Sequence, residues 1–260
     1  RADFPPFATD TDSTTRHHEQ EHAMGFPGIS IHVYADGANK ADMVKRTREG
    51  YISGLTTNPT LMRKAGISDY EGFAKDVLSE IKDLPISFEV FSDEFPEMKR
   101  QAIKIKDWAP NVNVKIPITN TKGESAIPLI RELFAAKIKL NITAIMSEAQ
   151  IVALRDAIGP DDDAIVSIFA GRIADTGVDP MPLMKRAVDA YAKLPKAKIL
   201  WASPREVLNV YQAEQCGCHI ITATDDLLSK LALKGKSLDE YSLDTVKMFY
   251  KDAQAAGFSL

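Results

Sequence analysis

The sequence predicts an α/β protein: a single (β/α)8 TIM barrel with an extra C-terminal helix and a mobile N-terminal tail. Three observations lead there. From residue 28 onward, short apolar β-branched runs alternate with longer helical patterns, and the alternation repeats eight times. The turn after the first run, Ala35-Asp36-Gly37-Ala38-Asn39, lacks the glycine-rich fingerprint expected of an open, nucleotide-binding doubly wound sheet. A length of 260 residues suits one barrel, since such folds form single domains of about 250 residues.

Taken in order, residues 1–27 are rich in Pro, Thr, Asp, Glu and His and show no periodic apolar face, so they are expected to form a flexible tail. The barrel is assigned to residues 28–241. Its predicted strands are Ile29–Asp36, Gly54–Asn58, Ile86–Phe91, Val112–Ile118, Leu140–Ile145, Ala164–Ala170, Lys198–Ser203 and His219–Thr224. After the fourth, Ala126, Leu129, Ile130, Leu133 and Phe134 recur at offsets of three and four, which places one apolar stripe on a helix facing the sheet. A helix begins near Ser147 after the fifth strand, and Asp179-Pro180 opens the helix after the sixth with a cap-like residue before proline. The last segment, 242–260, is expected to hold the extra helix, over Ser242–Gly257.

Composition narrows the function. A net charge of −4 argues against a phosphate-backbone binder, so nucleic acid is not an expected partner. No run approaches the roughly 20 apolar residues that span a bilayer, and no membrane partner is expected. The two cysteines, Cys216 and Cys218, are too few for a disulfide framework or a four-ligand zinc site; they read as reduced packing residues, consistent with a cytoplasmic setting. Gly235-Lys236-Ser237 ends like a phosphate loop, but position 230 is lysine where that motif needs glycine. His17, His18, Glu19, Glu21 and His22 have metal-ligating side chains but no two-histidine helical motif or packed framework, so no metal site is assigned.

Barrel enzymes gather their reactive groups at the C-terminal ends of the strands. Here those ends carry Asp36, Asn58, Glu89, Lys115, Asn141 and Thr143, Ser167 and then Arg172, and Ser203 followed by Arg205. A polar residue at a strand end is ordinarily surface or a helix cap, which is the plain reading of Asp36 or Ser203 alone. Lys115 differs because it interrupts Val112-Asn113-Val114-Lys115-Ile116-Pro117-Ile118, and lysine is seldom fully buried without a partner. An edge strand or a shifted register would return it to the surface. In an apolar barrel beside counter-charges, by contrast, its amine could attack a carbonyl and form an iminium electron sink. Of five histidines only His32 and His219 lie outside the tail, which leaves proton transfer to carboxylates such as Asp36 and Glu89.

These motifs together resemble the transaldolase family, including its relative fructose 6-phosphate aldolase. The resemblance rests on Tyr34-Ala35-Asp36, Thr56-Thr57-Asn58-Pro59-Thr60, Val114-Lys115-Ile116-Pro117-Ile118-Thr119, Asn141-Ile142-Thr143 and Phe169-Ala170-Gly171-Arg172-Ile173, and it runs from about residue 29 to the C-terminus. It implies that Lys115 is the Schiff-base lysine and that Asp36 moves the sugar hydroxyl proton. It implies further that Glu89 and Thr143 hold the catalytic water, and that Asn58, Asn141 and Ser167 bind a dihydroxyacetone unit. Phe169 stands where the aldolase relatives carry tyrosine, and Glu89 where they carry glutamine; both identities point to the transfer enzyme. Arg172, Ser203 and Arg205 resemble a phosphate clamp, a task that suits the planar guanidinium fork.

The implied partners are phosphorylated sugars of the kind handled in the pentose phosphate pathway, with no cofactor, because the iminium does the work of a Lewis acid. The short subfamily it resembles commonly assembles as a homo-oligomer, a pentamer or decamer. Pro204 departs from the family pattern, as does the N-terminal extension. A non-catalytic sugar-phosphate binder is the alternative in which the clamp matters and Lys115 is incidental.

Overall fold

The computed structural model describes residue 26 and residues 28–258. The tail and its His17–His22 cluster therefore lie outside the described residues, Phe26 apart. Eight parallel strands close into a barrel in sequence order: β1 (His32–Asp36), β2 (Gly54–Thr56), β3 (Ile86–Glu89), β4 (Val112–Pro117), β5 (Leu140–Ile145), β6 (Ala164–Ile168), β7 (Ala197–Trp201) and β8 (Ile220–Thr224). Closure pairs β1 with β8 from His32↔Ile220 to Asp36↔Thr224, so no strand is an edge and the edge-strand explanation of Lys115 falls.

The helices are α1 (Lys40–Glu49), α2 (Pro59–Lys64), α3 (Tyr70–Glu80), α4 (Phe95–Lys106), α5 (Ile127–Ala135), α6 (Glu148–Arg155), α7 (Ala170–Asp175), α8 (Met181–Ala190), α9 (Leu208–Gln215), α10 (Asp225–Lys230) and α11 (Leu238–Ala256). The predicted stripe after strand four is α5: Leu129, Ile130, Leu133 and Phe134 are all buried. Ser147 caps α6 in a reciprocal box with Gln150, and the Asp179 side chain accepts from Met181 N–H at the start of α8. The sequence reading passed over α7, a helix of six residues that precedes α8; it is too short to show an apolar period.

Strand ends also move, and for a physical reason. Pairing to a neighbour, not apolarity, defines the strand. Residues 29–31 are partly apolar but precede the ladder, Ala170 already belongs to α7, and Ser203 leaves β7 in the left-handed region (φ 57°). The last helix starts at Leu238, earlier than the expected Ser242, and contributes no buried residue; Leu238, Val246, Phe249 and Tyr250 on it are exposed.

Alternation along each strand separates two interiors. Val33, Ala35, Leu55, Phe88, Val114, Ile116, Ile142, Val166, Ile199 and Ile221 join the core shared with the helices. The residues between them point into the barrel. Tyr34, Ile165, Leu200, Ala202 and Ile220 form a separate apolar plug on the β6–β8–β1 side, with Phe169 against it. Gly54 makes room for that plug, since a Cβ there would lie 2.5 Å from the Tyr34 ring. On the opposite side the inward set is polar: Ser87, Asn113, Lys115, Asn141 and Thr143 are buried. Strands of a parallel sheet are ordinarily apolar on both faces, so this polar side departs from the usual packing.

Candidate active site

Strand register brings the candidate residues side by side. Glu89 lies opposite Lys115, Lys115 opposite Asn141, and Pro117 opposite Thr143 on three adjacent strands. Lys115 is only 6% exposed, and its Nζ donates to the Thr57 carbonyl at 2.8 Å while standing 3.2 Å from Glu89 Oε2. A buried ammonium requires such partners, because an uncompensated charge there would cost several kcal/mol, on the order of 3–5. Glu89 is itself held at its backbone. The Tyr70 hydroxyl accepts from Glu89 N–H and donates to the Glu89 carbonyl, both at 2.8 Å, and the Tyr70 ring packs edge-on against Phe88 and beside Trp108. Burial pushes the Tyr70 phenol well above its ordinary range, so it stays a neutral donor.

Each residue of Thr56-Thr57-Asn58-Pro59 has a separate job. Thr56 Oγ1 donates to Asp36 Oδ1 at 2.8 Å, and Thr57 donates to the Ser87 carbonyl at 2.9 Å while its own carbonyl receives the lysine. Asn58 donates to Asp36 Oδ2 at 3.3 Å and caps α2 by accepting from Leu61 N–H, with Pro59 in the first turn. The helix-cap reading and the site reading of Asn58 are therefore both true. Burial pushes the Asp36 carboxyl above the ordinary aspartate value of 3.8. The Lys115 charge, the Thr56 hydroxyl and the Asn58 amide oppose that rise, and the Glu89 charge adds to it.

On β5 and β6, Asn141 Nδ2 donates to Ser87 Oγ at 3.0 Å, and Ser167 Oγ donates to Asn141 Oδ1 at 2.6 Å. The β5–β6 register shifts between Ile142 and Ile145, where Ala144 adopts φ 62°. Next to that bulge, Thr143 Oγ1 is buried with no hydrogen-bond partner. An unpaired buried hydroxyl costs about 1–3 kcal/mol, and here it faces the mouth that Lys115 also lines.

The rim is built differently. Phe169 leaves β6 and the Arg172 guanidinium lies 5.9 Å from its ring centroid. Gly171 lets the start of α7 press against the exit of β7, since a Cβ there would sit 1.5 Å from the Ser203 carbonyl oxygen. Arg205 offers its Nε–Nη2 edge to Asp175, with Nε 3.0 Å from Oδ1 and a closer Nη2–Oδ2 contact. This pairing holds the Asp175 carboxyl below its ordinary range.

All eleven residues singled out from the sequence line one cavity of about 410 Å³ at the C-terminal ends of the strands: Asp36, Asn58, Glu89, Lys115, Asn141, Thr143, Ser167, Phe169, Arg172, Ser203 and Arg205. Sequence reasoning missed Thr56 and Thr222, which line it too, and Tyr70, Ser87 and Asp175, which fix its members. Only the Thr56 motif carried a signal; the others are distant in sequence and unmarked. The two histidines lie at the other end of the barrel: His32 is exposed, and His219 Nδ1 accepts from Ile199 N–H at 3.0 Å. Both cysteines are free and buried, and burial pushes the Cys218 thiol up to about 12.

The fold matches the crystal structure of 2,3-dimethylmalate lyase, a PEP mutase/isocitrate lyase superfamily member. That likeness has a TM-score of 0.52 at 13% identity, over 90% of this chain and 86% of that one, and shows the fold alone. Sequence comparison reaches further. A probable transaldolase of Dehalococcoides mccartyi is 34% identical over 204 residues, covering 77% of this chain and 90% of that protein. The probable transaldolase 2 of Listeria monocytogenes is 34% identical over 201 residues, covering 76% and 87%. A probable transaldolase of Desulforamulus reducens is 33% identical over 220 residues, covering 83% and 97%. The profile of the family described as Transaldolase/Fructose-6-phosphate aldolase matches residues 33–260, from β1 through the last helix. On a closed eight-stranded barrel with a lysine inside its mouth, that match is decisive: the chain belongs to the transaldolase/fructose-6-phosphate aldolase family.

Proposed function

We propose that the chain is a transaldolase that moves a three-carbon dihydroxyacetone unit from a ketose phosphate to an aldose phosphate through a Schiff base on Lys115. The observation that carries this reading is the buried Lys115 amine, 3.2 Å from Glu89 and in the same cavity as Asp36. A sugar-phosphate binder has no use for that arrangement. Attack needs the neutral amine, and Glu89 can take its proton. Nζ adds to the ketose carbonyl, the carbinolamine loses water, and an iminium forms.

The Asp36 carboxylate then accepts the proton of the C4 hydroxyl as the C3–C4 bond breaks. The bonding electrons move to C3 and neutralise the iminium as an enamine, and the aldose phosphate departs. With an acceptor aldehyde the steps reverse: C3 attacks, Asp36 returns its proton to the new hydroxyl, and water held by Glu89 and the unpartnered Thr143 hydroxyl hydrolyses the iminium. Asn58, Asn141 and Ser167 are assigned to the dihydroxyacetone hydroxyls, and Arg172, Ser203 and Arg205 to the phosphate. Self-association belongs to the same reading, supported by the exposed apolar residues of α11.

The second reading is an aldolase that releases free dihydroxyacetone. Glu89 and Phe169, in place of the glutamine and tyrosine of such relatives, favour transfer. Borohydride trapping with fructose 6-phosphate and mass spectrometry of the Lys115 peptide, beside a Lys115→Met control, tests the chemistry. A three-carbon adduct on Lys115, lost in the control, is expected. No adduct with any of a panel of ketose phosphates would leave the binder reading standing. Parallel double-reciprocal lines with both substrates varied are expected of transfer, and free dihydroxyacetone without acceptor of the aldolase.

A further inference from the structure

Behind Asp36 runs a chain of hydroxyls that none of the assigned roles uses. Thr56 Oγ1 lies 2.8 Å from Asp36 Oδ1 and 2.6 Å from Thr222 Oγ1, and both threonines are buried. A hydroxyl has one proton to give, and an ionised carboxylate can only accept. The Thr56 proton therefore goes to Asp36, and the short contact to Thr222 is satisfied only if Thr222 is the donor. Direction is thus set along the chain, Thr222 to Thr56 to Asp36, from β8 to β2, the two neighbours of β1. Among the described residues Thr222 Oγ1 has no other hydrogen-bond partner.

We propose that Thr222 is a positioning residue for the reaction: by donating to Thr56 it aims the Thr56 proton at Asp36 and holds the carboxylate towards the substrate. This rests on the assignment of Asp36 as the proton acceptor. A donated proton polarises the hydroxyl that receives it, so Thr56 binds the carboxylate more firmly than it would alone. The other groups facing Asp36 are Lys115 from β4, Glu89 from β3 and the Asn58 amide at the end of β2. None of them contacts Thr222 through a hydrogen bond; Thr56 is the hydrogen-bonded link from Thr222 to Asp36.

Thr222→Val keeps the shape and removes the hydroxyl. Two readouts on the full-length protein test the proposal. In a carbon-13 carboxyl NMR titration, with the Asp36 signal identified by its loss in Asp36→Asn, loss of the donor chain weakens the ionised form. Asp36 should then titrate at higher pH in Thr222→Val and return in Thr222→Ser. In steady-state assays kcat should fall by about 2- to 10-fold, the worth of one neutral hydrogen bond, with KM unchanged and full rescue by serine. Thr222→Val in an Asp36→Asn background should cost nothing further. An unmoved titration, or equal losses in the valine and serine variants with a lowered Tm, overturns the proposal. Because the titration needs no turnover, it stands apart from the transaldolase reading, which falls instead if Asp36→Asn retains full turnover. If Thr222→Val does not fold, Thr222→Ala is read by the same titration with the same two outcomes.

Discussion

The floor and the rim of the mouth face the same cavity but are built on opposite terms. On the floor, Lys115, Asn141 and Ser167 are buried on strands; Lys115 is tied to Thr57 and Glu89, Asn141 to Ser87 and Ser167 to Asn141, while the Thr143 hydroxyl is unpartnered. On the rim, Arg172 and Arg205 are exposed, reaching in from α7 and from the segment after β7. Making and breaking a bond needs reacting atoms placed within a fraction of an ångström, which strands provide; gripping an anion tolerates long side chains with charge to spare. The difference teaches that damage to the floor should appear in kcat and damage to the rim in KM.

The largest effect that separates them is Asp36→Asn. Loss of the proposed general acid–base should lower kcat by about 10²- to 10⁴-fold with KM little changed. Stability should move the other way. Burial raises the Asp36 carboxyl above 3.8 in the folded protein, so the folded state binds that proton more tightly than the unfolded chain. Stability is then lost as pH rises from the unfolded value through the raised folded one. Asp36→Asn avoids that loss, and its Tm should exceed the parent's at neutral pH, with the gap closing as pH falls. Equal melting curves across pH would show that the carboxyl is not penalised by burial.

Next come the two arginines. Arg172→Ala should raise KM for a phosphorylated donor by about 10- to 100-fold while leaving kcat and unphosphorylated substrates nearly unchanged. Arg205→Ala should cost less, under about 10-fold, because Asp175 already neutralises that guanidinium. Equal penalties would mean that substrate phosphate draws Arg205 away from Asp175. The smallest effect on turnover is expected of Gly171→Ala, which pushes on the Ser203 carbonyl and therefore on the rim. Overpacking of this kind costs about 1–3 kcal/mol and should lower Tm by about 3–10 °C, with KM rising and kcat held. A fall in kcat equal to the rise in KM would erase the distinction between floor and rim.

Much of this was legible beforehand, and for local reasons. A lysine inside an apolar run, or Thr-Thr-Asn-Pro at the end of another, marks itself within a few residues. The short helix α7 was not legible, because six residues cannot display a period, and neither was the true start of β1, because pairing depends on a neighbour distant in sequence.

What the sequence by itself determined was the barrel, the side chains at its mouth and the lysine among them, since strand alternation and polar interruptions are written in consecutive residues. Only the tertiary structure decided what those side chains touch. Tyr70 clamping Glu89 across 19 positions, Thr222 reaching Thr56 across 166 and Asp175 engaging Arg205 across 30 are products of closure. They arise because a closed barrel brings eight strand ends onto one ring. The charge, orientation and proton affinity of each group there are set by partners from other strands and helices, not by its own neighbours in the chain.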